Sequence, residues 1–178
     1  MNLLRKMAGG GQTPPRAGLG EIAIAWLGSL VAIAGIGLLE RYAVGAGGPP
    51  LLIGSFGASA VLAFGAIRSP LAQPRNLVGG HALSAFVGVS TGMLLPEPLW
   101  LSAAIAVATA IALMHATQTL HPPGGATALI AVIGGEGIRQ LGYWYVLVPC
   151  LLGAVFMLVI ALIVNNIPRS RRYPIFWW

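Results

Sequence analysis

From Ile22 to Leu39 the chain carries no charged residue, and Glu21 on one side and Glu40 with Arg41 on the other mark where that run stops. About twenty apolar residues at 1.5 Å rise are what a helix needs to cross a hydrocarbon core about 30 Å thick. The pattern returns in Leu77–Leu95, in the alanine-rich Leu99–Thr119 and in Tyr143–Val164, so the sequence predicts four long spanning helices. Composition agrees. Only 8% of the 178 residues are charged, against about 25% in soluble domains. A soluble globule so poor in charge has no means of covering its surface, so lipid is the expected solvent.

Two shorter apolar segments lie between the long ones. Leu51–Ile67, LLIGSFGASAVLAFGAI, is at the short end of the spanning range and studded with small residues. Thr119–Ala131, TLHPPGGATALIA, is stranger still. Two prolines remove backbone donors and bias His121 and Pro122 away from α geometry, and two glycines follow before a helix-forming run resumes at Ala126. It reads as a helix that stops and restarts. Inside a bilayer such a break is tolerated where protein or water satisfies the freed backbone groups, and the restart exposes a helix N-terminus, which attracts anions.

The two short segments echo each other. Gly57-Ala58-Ser59-Ala60 matches Gly125-Ala126-Thr127-Ala128, and each segment lies between two long helices. The expected fold is therefore an all-α, polytopic membrane helix bundle of four long helices plus two short or broken ones, in two three-segment repeats that are inverted with respect to each other. Chance likeness between small-residue helices is the competing explanation. The arginines favour six crossings. With the N-terminus inside, Arg5, Lys6, Arg16, Arg68, Arg75, Arg169, Arg171 and Arg172 face the cytoplasm and only Arg41 and Arg139 face out. If the short segments re-entered instead, Arg68 and Arg75 would move outside and the asymmetry would weaken. Residues 1–20 read as a basic tail, 21–166 as the transmembrane domain and 167–178 as a basic and aromatic tail. The expected setting is a bacterial inner (plasma) membrane with both termini cytoplasmic.

The motifs resemble those of the HPP family of integral membrane proteins, named for a tripeptide present here as His121-Pro122-Pro123. The resemblance extends to PLLIGSFGASAVL (Pro50–Leu62), SPLAQPRNLVGGH (Ser69–His81) and Arg172-Tyr173-Pro174. This chain departs from the family in having Gly124 where alanine is common. The resemblance implies four transmembrane helices. Because some cyanobacterial and chloroplast relatives are nitrite transporters, it also implies a role in anion transport.

Read from the residues, the broken stretch is a candidate anion cradle. The N–H groups of Gly124, Gly125 and Ala126 and the Thr127 hydroxyl would face a substrate, and Ser55, Gly57, Ala58 and Ser59 would supply the matching half. The bland alternative is a kink that serves packing. His121 is the best candidate to sense or relay a proton accompanying the anion; His81 is a second intramembrane histidine, and His115 faces elsewhere on its helix. Arg75 and Asn76, with Arg68, would raise the local anion concentration at the inner mouth, or simply anchor the topology. Gly80, Ser84, Gly88 and Gly92, spaced by fours, form a close-packing stripe, within the bundle or across a dimer. The histidines lack the spacing and partner ligands of a metal site, and no cofactor is indicated. There is no aspartate, and the glutamates sit at segment ends, so no catalytic constellation points to an enzyme. The lone Cys150 lies in an apolar run and gives no disulfide framework. The net charge of +6 is gathered at the ends of apolar runs, which favours lipid headgroups over nucleic acid. The expected function is membrane transport of a small inorganic anion, nitrite-like; the alternative is a non-transporting membrane scaffold or sensor. A homo-oligomer is a possible partner at this size.

Overall fold

The fold is described from a computed structural model covering residues 3–7, 11–45 and 47–178. Parts of the basic tail (residues 1–2, 8–10 and the Arg5 side chain) and Ala46 of the second loop lie outside the described residues. In order, the helices are α1 (Leu3–Met7), α2 (Leu19–Leu39, prolonged by a wider turn over Glu40–Val44), α3 (Gly54–Ala60, prolonged over Val61–Gly65) and α4 (Pro74–Leu94). Then come α5 (Leu99–Ala116), α6 (Pro122–Ile133), α7 (Glu136–Arg139) and α8 (Leu152–Val164), the last preceded by a wide turn over Val146–Leu151. Among the described residues four stretches are long and apolar enough to cross a membrane: Leu19–Val44, Pro74–Leu94, Leu99–Ala116 and Val146–Val164. The all-helical, polytopic bundle expected from the hydropathy pattern is the fold observed.

Hydrogen bonds define the two ends of the bundle. At the arginine-rich end Arg171 donates to Glu21 Oε2 at 2.8 Å, to Asn165 Oδ1 at 2.8 Å and to the Phe64 carbonyl at 3.3 Å, while Asn165 donates to the Ala63 carbonyl. This ties the start of α2, the end of the α3 segment and the end of α8 together. At the opposite end Glu40 Oε2 accepts from the backbone N–H groups of Leu51 and Leu52, both at 2.8 Å. The α3 segment therefore runs from one end to the other, because its extended lead-in adds reach to its short helix. The α6 segment does the same in the other direction. It begins beside the Leu71 carbonyl at the arginine-rich end and finishes beside Met93, Pro96 and Leu99, where α4 ends and α5 begins. All five tryptophans are exposed: Trp26, Trp177 and Trp178 towards the arginine-rich end, Trp100 and Trp144 towards the other, as two interfacial belts require.

Glycine decides how closely the helices approach. A methyl group on Gly80 would lie 2.5 Å from His121 Cβ, and one on Gly88 would lie 2.6 Å from the Ala128 carbonyl oxygen. One on Gly124 would meet Ser84 Oγ at 2.7 Å and the Gly80 carbonyl oxygen at 3.0 Å. The stripe on α4 thus packs inside the bundle, backbone against backbone with α6, and Gly92 lies at its looser end. Elsewhere a phenyl ring fills the space a glycine leaves, as Phe56 does at Gly153 and Phe64 at Gly28.

Helices α2 and α4 each begin three residues earlier than expected, and three larger differences have local causes. The second short helix restarts at Pro122, not at Ala126, with both prolines in its first turn, where a missing N–H removes no intrahelical bond. Its glycines are therefore helical and do not bare the backbone. The third long helix ends at Ala116 rather than at Thr119, because Gln118 adopts φ 57°, a left-handed conformation that stops a helix. The final span is not one continuous helix: Val148 is extended (φ −135°, ψ 113°) ahead of Pro149, since the ring disfavours α geometry in the residue before it.

Candidate functional site

A line of buried polar side chains runs where α3, α4 and α6 meet. Ser59, His81, His121 and Thr127 are each fully buried. Ser59 Oγ lies 2.7 Å from His81 Nε2 and 2.9 Å from His121 Nε2, and His81 Nδ1 lies 2.7 Å from Thr127 Oγ1. The line ends on backbone carbonyls. His121 Nδ1 is 2.8 Å from the Leu71 oxygen, and Thr127 Oγ1 is 3.2 Å from the Pro123 oxygen one turn back in α6. The two imidazoles meet edge to face with centroids 5.1 Å apart, and the Phe56 ring covers His81.

Local geometry explains why these residues converge. His121 is the residue before α6 and takes an extended conformation (φ −138°, ψ 105°) because Pro122 follows it. That projects its ring sideways, towards Ser59 and the 71–72 turn. Gly80 leaves room for it, and His81 follows one position on. Ser59 and Thr127, the two hydroxyl positions of the internal echo, occupy the two nitrogens of His81, Ser59 at Nε2 and Thr127 at Nδ1.

Other candidates lie at varying distances from this centre. Ser55, one turn before Ser59 on the same face, is buried with its hydroxyl unpartnered. Gly57 and Ala58 point the other way and are exposed, as a 3.6-residue period demands when Ser55 and Ser59 face inward. Gly124 faces α4, and its N–H donates to the His121 carbonyl at 2.8 Å. With two prolines ahead of it contributing no N–H, the start of α6 offers few backbone donors, so the polar centre is made of side chains. Gly125 and Ala126 are half-buried beside it. Arg75 and Asn76 hold the α5–α6 connection: Arg75 donates to Gln118 Oε1 at 3.2 Å, and Asn76 to the Leu120 carbonyl at 2.8 Å. Arg75 Nε and Asn76 Oδ1 are nonetheless buried without partners. His115 is exposed.

The sequence reading missed several supporting groups. Tyr145 donates to the Thr127 carbonyl at 3.1 Å, and Gln73 spans three backbone groups of the 67–69 turn and the tail. The tail itself folds back, with Tyr173 donating to the Ala72 carbonyl at 2.8 Å; burial pushes this phenol above its ordinary range, so it stays a donor. None of these residues sits in a motif, and only their tertiary placement reveals them. At the opposite end of the α4–α6 seam a cavity of about 110 Å³ is lined by Val89, Gly92, Ser102, Val132 and Arg139 among others, and the buried Ser102 hydroxyl has no partner.

Comparison with known proteins fits this architecture. The chain is 48% identical over 98% of its length to one transmembrane protein of Dictyostelium discoideum, and 46% identical over 93% to a second. It spans 57% and 59% of those relatives' own lengths. No solved structure matches it. A family model described as the HPP transmembrane region matches residues 14–174, which takes in every span and the whole polar centre, and the chain belongs to that family.

Proposed function

We propose that this membrane protein moves a small inorganic anion, nitrite-like, across the bilayer along the seam where α3, α4 and α6 meet. The observation that carries this reading is the buried polar line and its open capacity. Ser55 on one side of the histidine pair, and Asn76 with Arg75 on the other, keep polar atoms without partners at depth. Leaving such groups unsatisfied costs about 1–3 kcal/mol each, a cost a permeant solute would relieve in passing. The glutamates all sit at the ends of the bundle, each with its own partner, so no fixed negative charge opposes an anion between them.

The echo at Ser59 and Thr127 supports two three-segment repeats of opposite orientation, with the site at their interface. The setting proposed is a bacterial plasma membrane with both termini in the cytoplasm. The clustered arginines support the orientation, although the relatives named above come from a eukaryote. A second reading, a non-transporting scaffold or sensor, is favoured by one observation: all four side chains of the centre already have protein partners. Uptake of nitrite, nitrate, formate and chloride into proteoliposomes, native against His121→Ala, separates the two. Saturable uptake that prefers one anion and falls in the mutant supports transport. Folded protein that moves none of them leaves the scaffold.

A further inference from the structure

The polar centre has a countable number of hydrogens. Its five contacts run Leu71 O, His121, Ser59, His81, Thr127, Pro123 O, and both ends are carbonyls that only accept. With both imidazoles neutral, the four side chains bring four hydrogens, one from each, to five contacts. The four short contacts, 2.7–2.9 Å, take them, and the 3.2 Å contact between Thr127 and Pro123 is the one left over. Leaving that longest contact open gives one such arrangement. His121 carries its hydrogen on Nδ1 and His81 on Nε2, while Ser59 donates to His121 and Thr127 to His81.

One added proton completes the set, and a second has no acceptor. When it binds His81 Nδ1, Thr127 turns its own hydrogen to the Pro123 carbonyl. When His81 then passes its Nε2 hydrogen to Ser59 Oγ, and Ser59 passes its own to His121 Nε2, the charge moves to the other ring. Both forms fill all five contacts and carry one positive charge. The groups facing the pair are uncharged: Ser59 and Phe56 from α3, Thr127 from α6, the Leu71 carbonyl, and Tyr145 beyond Thr127. Arg75, on the first turn of the helix that carries His81, donates to Gln118. The carboxylates are engaged elsewhere, Glu21 by Arg171, Glu40 by Leu51 and Leu52, Glu97 by Leu99 and Glu136 by Arg139.

We infer that the His81–Ser59–His121 bridge binds a single proton whose counter-charge is the transported solute, so that one proton and one monovalent anion cross together without net charge. This rests on the transport reading above and adds its coupling ion and stoichiometry. Two measurements test it. In proteoliposomes supplied with external nitrite as the probe, and read before protein-free vesicles accumulate it as nitrous acid, an acid-outside gradient should accumulate the anion about tenfold per pH unit. Potassium diffusion potentials of either sign should leave that ratio unchanged. Ser59→Ala should abolish the acid-driven accumulation and Ser59→Thr restore it. Accumulation that follows the potential, or rises a hundredfold per pH unit, overturns the coupling while leaving transport standing; no movement of any anion overturns both. The second measurement needs no transport. Nitrogen NMR of histidine-labelled native protein in nanodiscs, with exposed His115 as internal reference, should show the two buried rings gaining one proton between them on acidification. Two protons, or none, overturns the inference whether or not the Ser59 variants fold.

Discussion

At the scale of single residues, Ser59 is the pivot, because one fully buried hydroxyl serves two imidazole nitrogens. Ser59→Ala leaves one ring without a donor and the other without an acceptor. We expect a loss of about 1–3 kcal/mol, read as a lower midpoint in detergent-mediated unfolding. Gly57→Ala, two positions away on the exposed face of the same helix, should instead raise stability by about 0.5 kcal/mol by favouring helix over coil. Equal effects at both positions would mean that the buried bridge contributes nothing. His81 and His121 were each legible as intramembrane ionisable residues. Their meeting was not, since Ser59 is 22 residues from one and 62 from the other, and no periodicity relates positions so far apart.

At the scale of elements, the α4–α6 seam is set by glycines in unequal contact. Gly88→Ala would drive a methyl group into the Ala128 carbonyl and Ala131, so we expect a loss of about 1–3 kcal/mol from overpacking. Gly92→Ala meets nothing nearer than Val132 at 3.9 Å and should stay within about 0.5 kcal/mol of the native chain. Unfolding midpoints of the two variants make the comparison. The four-residue spacing of this stripe was readable in advance, whereas its partner was not, because a small-residue face serves a neighbouring helix or a second subunit equally well. Prolines were legible as punctuation but not as position. Pro122 and Pro123 start a helix that was expected to begin later, and Pro149 interrupts one that hydropathy alone runs straight through.

At the scale of the whole molecule, Arg171 closes the bundle. Its side chain is 4% exposed, and its Glu21 partner is half exposed. Arg171→Gln should cost about 1–3 kcal/mol, from the buried Asn165 and Phe64 oxygens left without their donor, whereas exposed Arg172→Gln should fall within about 0.5 kcal/mol; chemical unfolding of both variants decides. Orientation is testable separately. In a Cys150→Ala background, Gly137→Cys should react with an impermeant thiol reagent from outside the cell and Arg172→Cys only after the membrane is opened. The reverse pattern would turn the bundle over. The Arg171–Glu21 contact joins residues 150 positions apart, one in the first turn of the first span and one beyond the Val146–Val164 span. During synthesis, then, the residue that fastens the first span is made only after the helices from α2 to α8 have all been made. Until that moment α2 is fastened only at its far end, where Glu40 holds Leu51 and Leu52, and the growing chain waits as a sheaf tied at one end and open at the other.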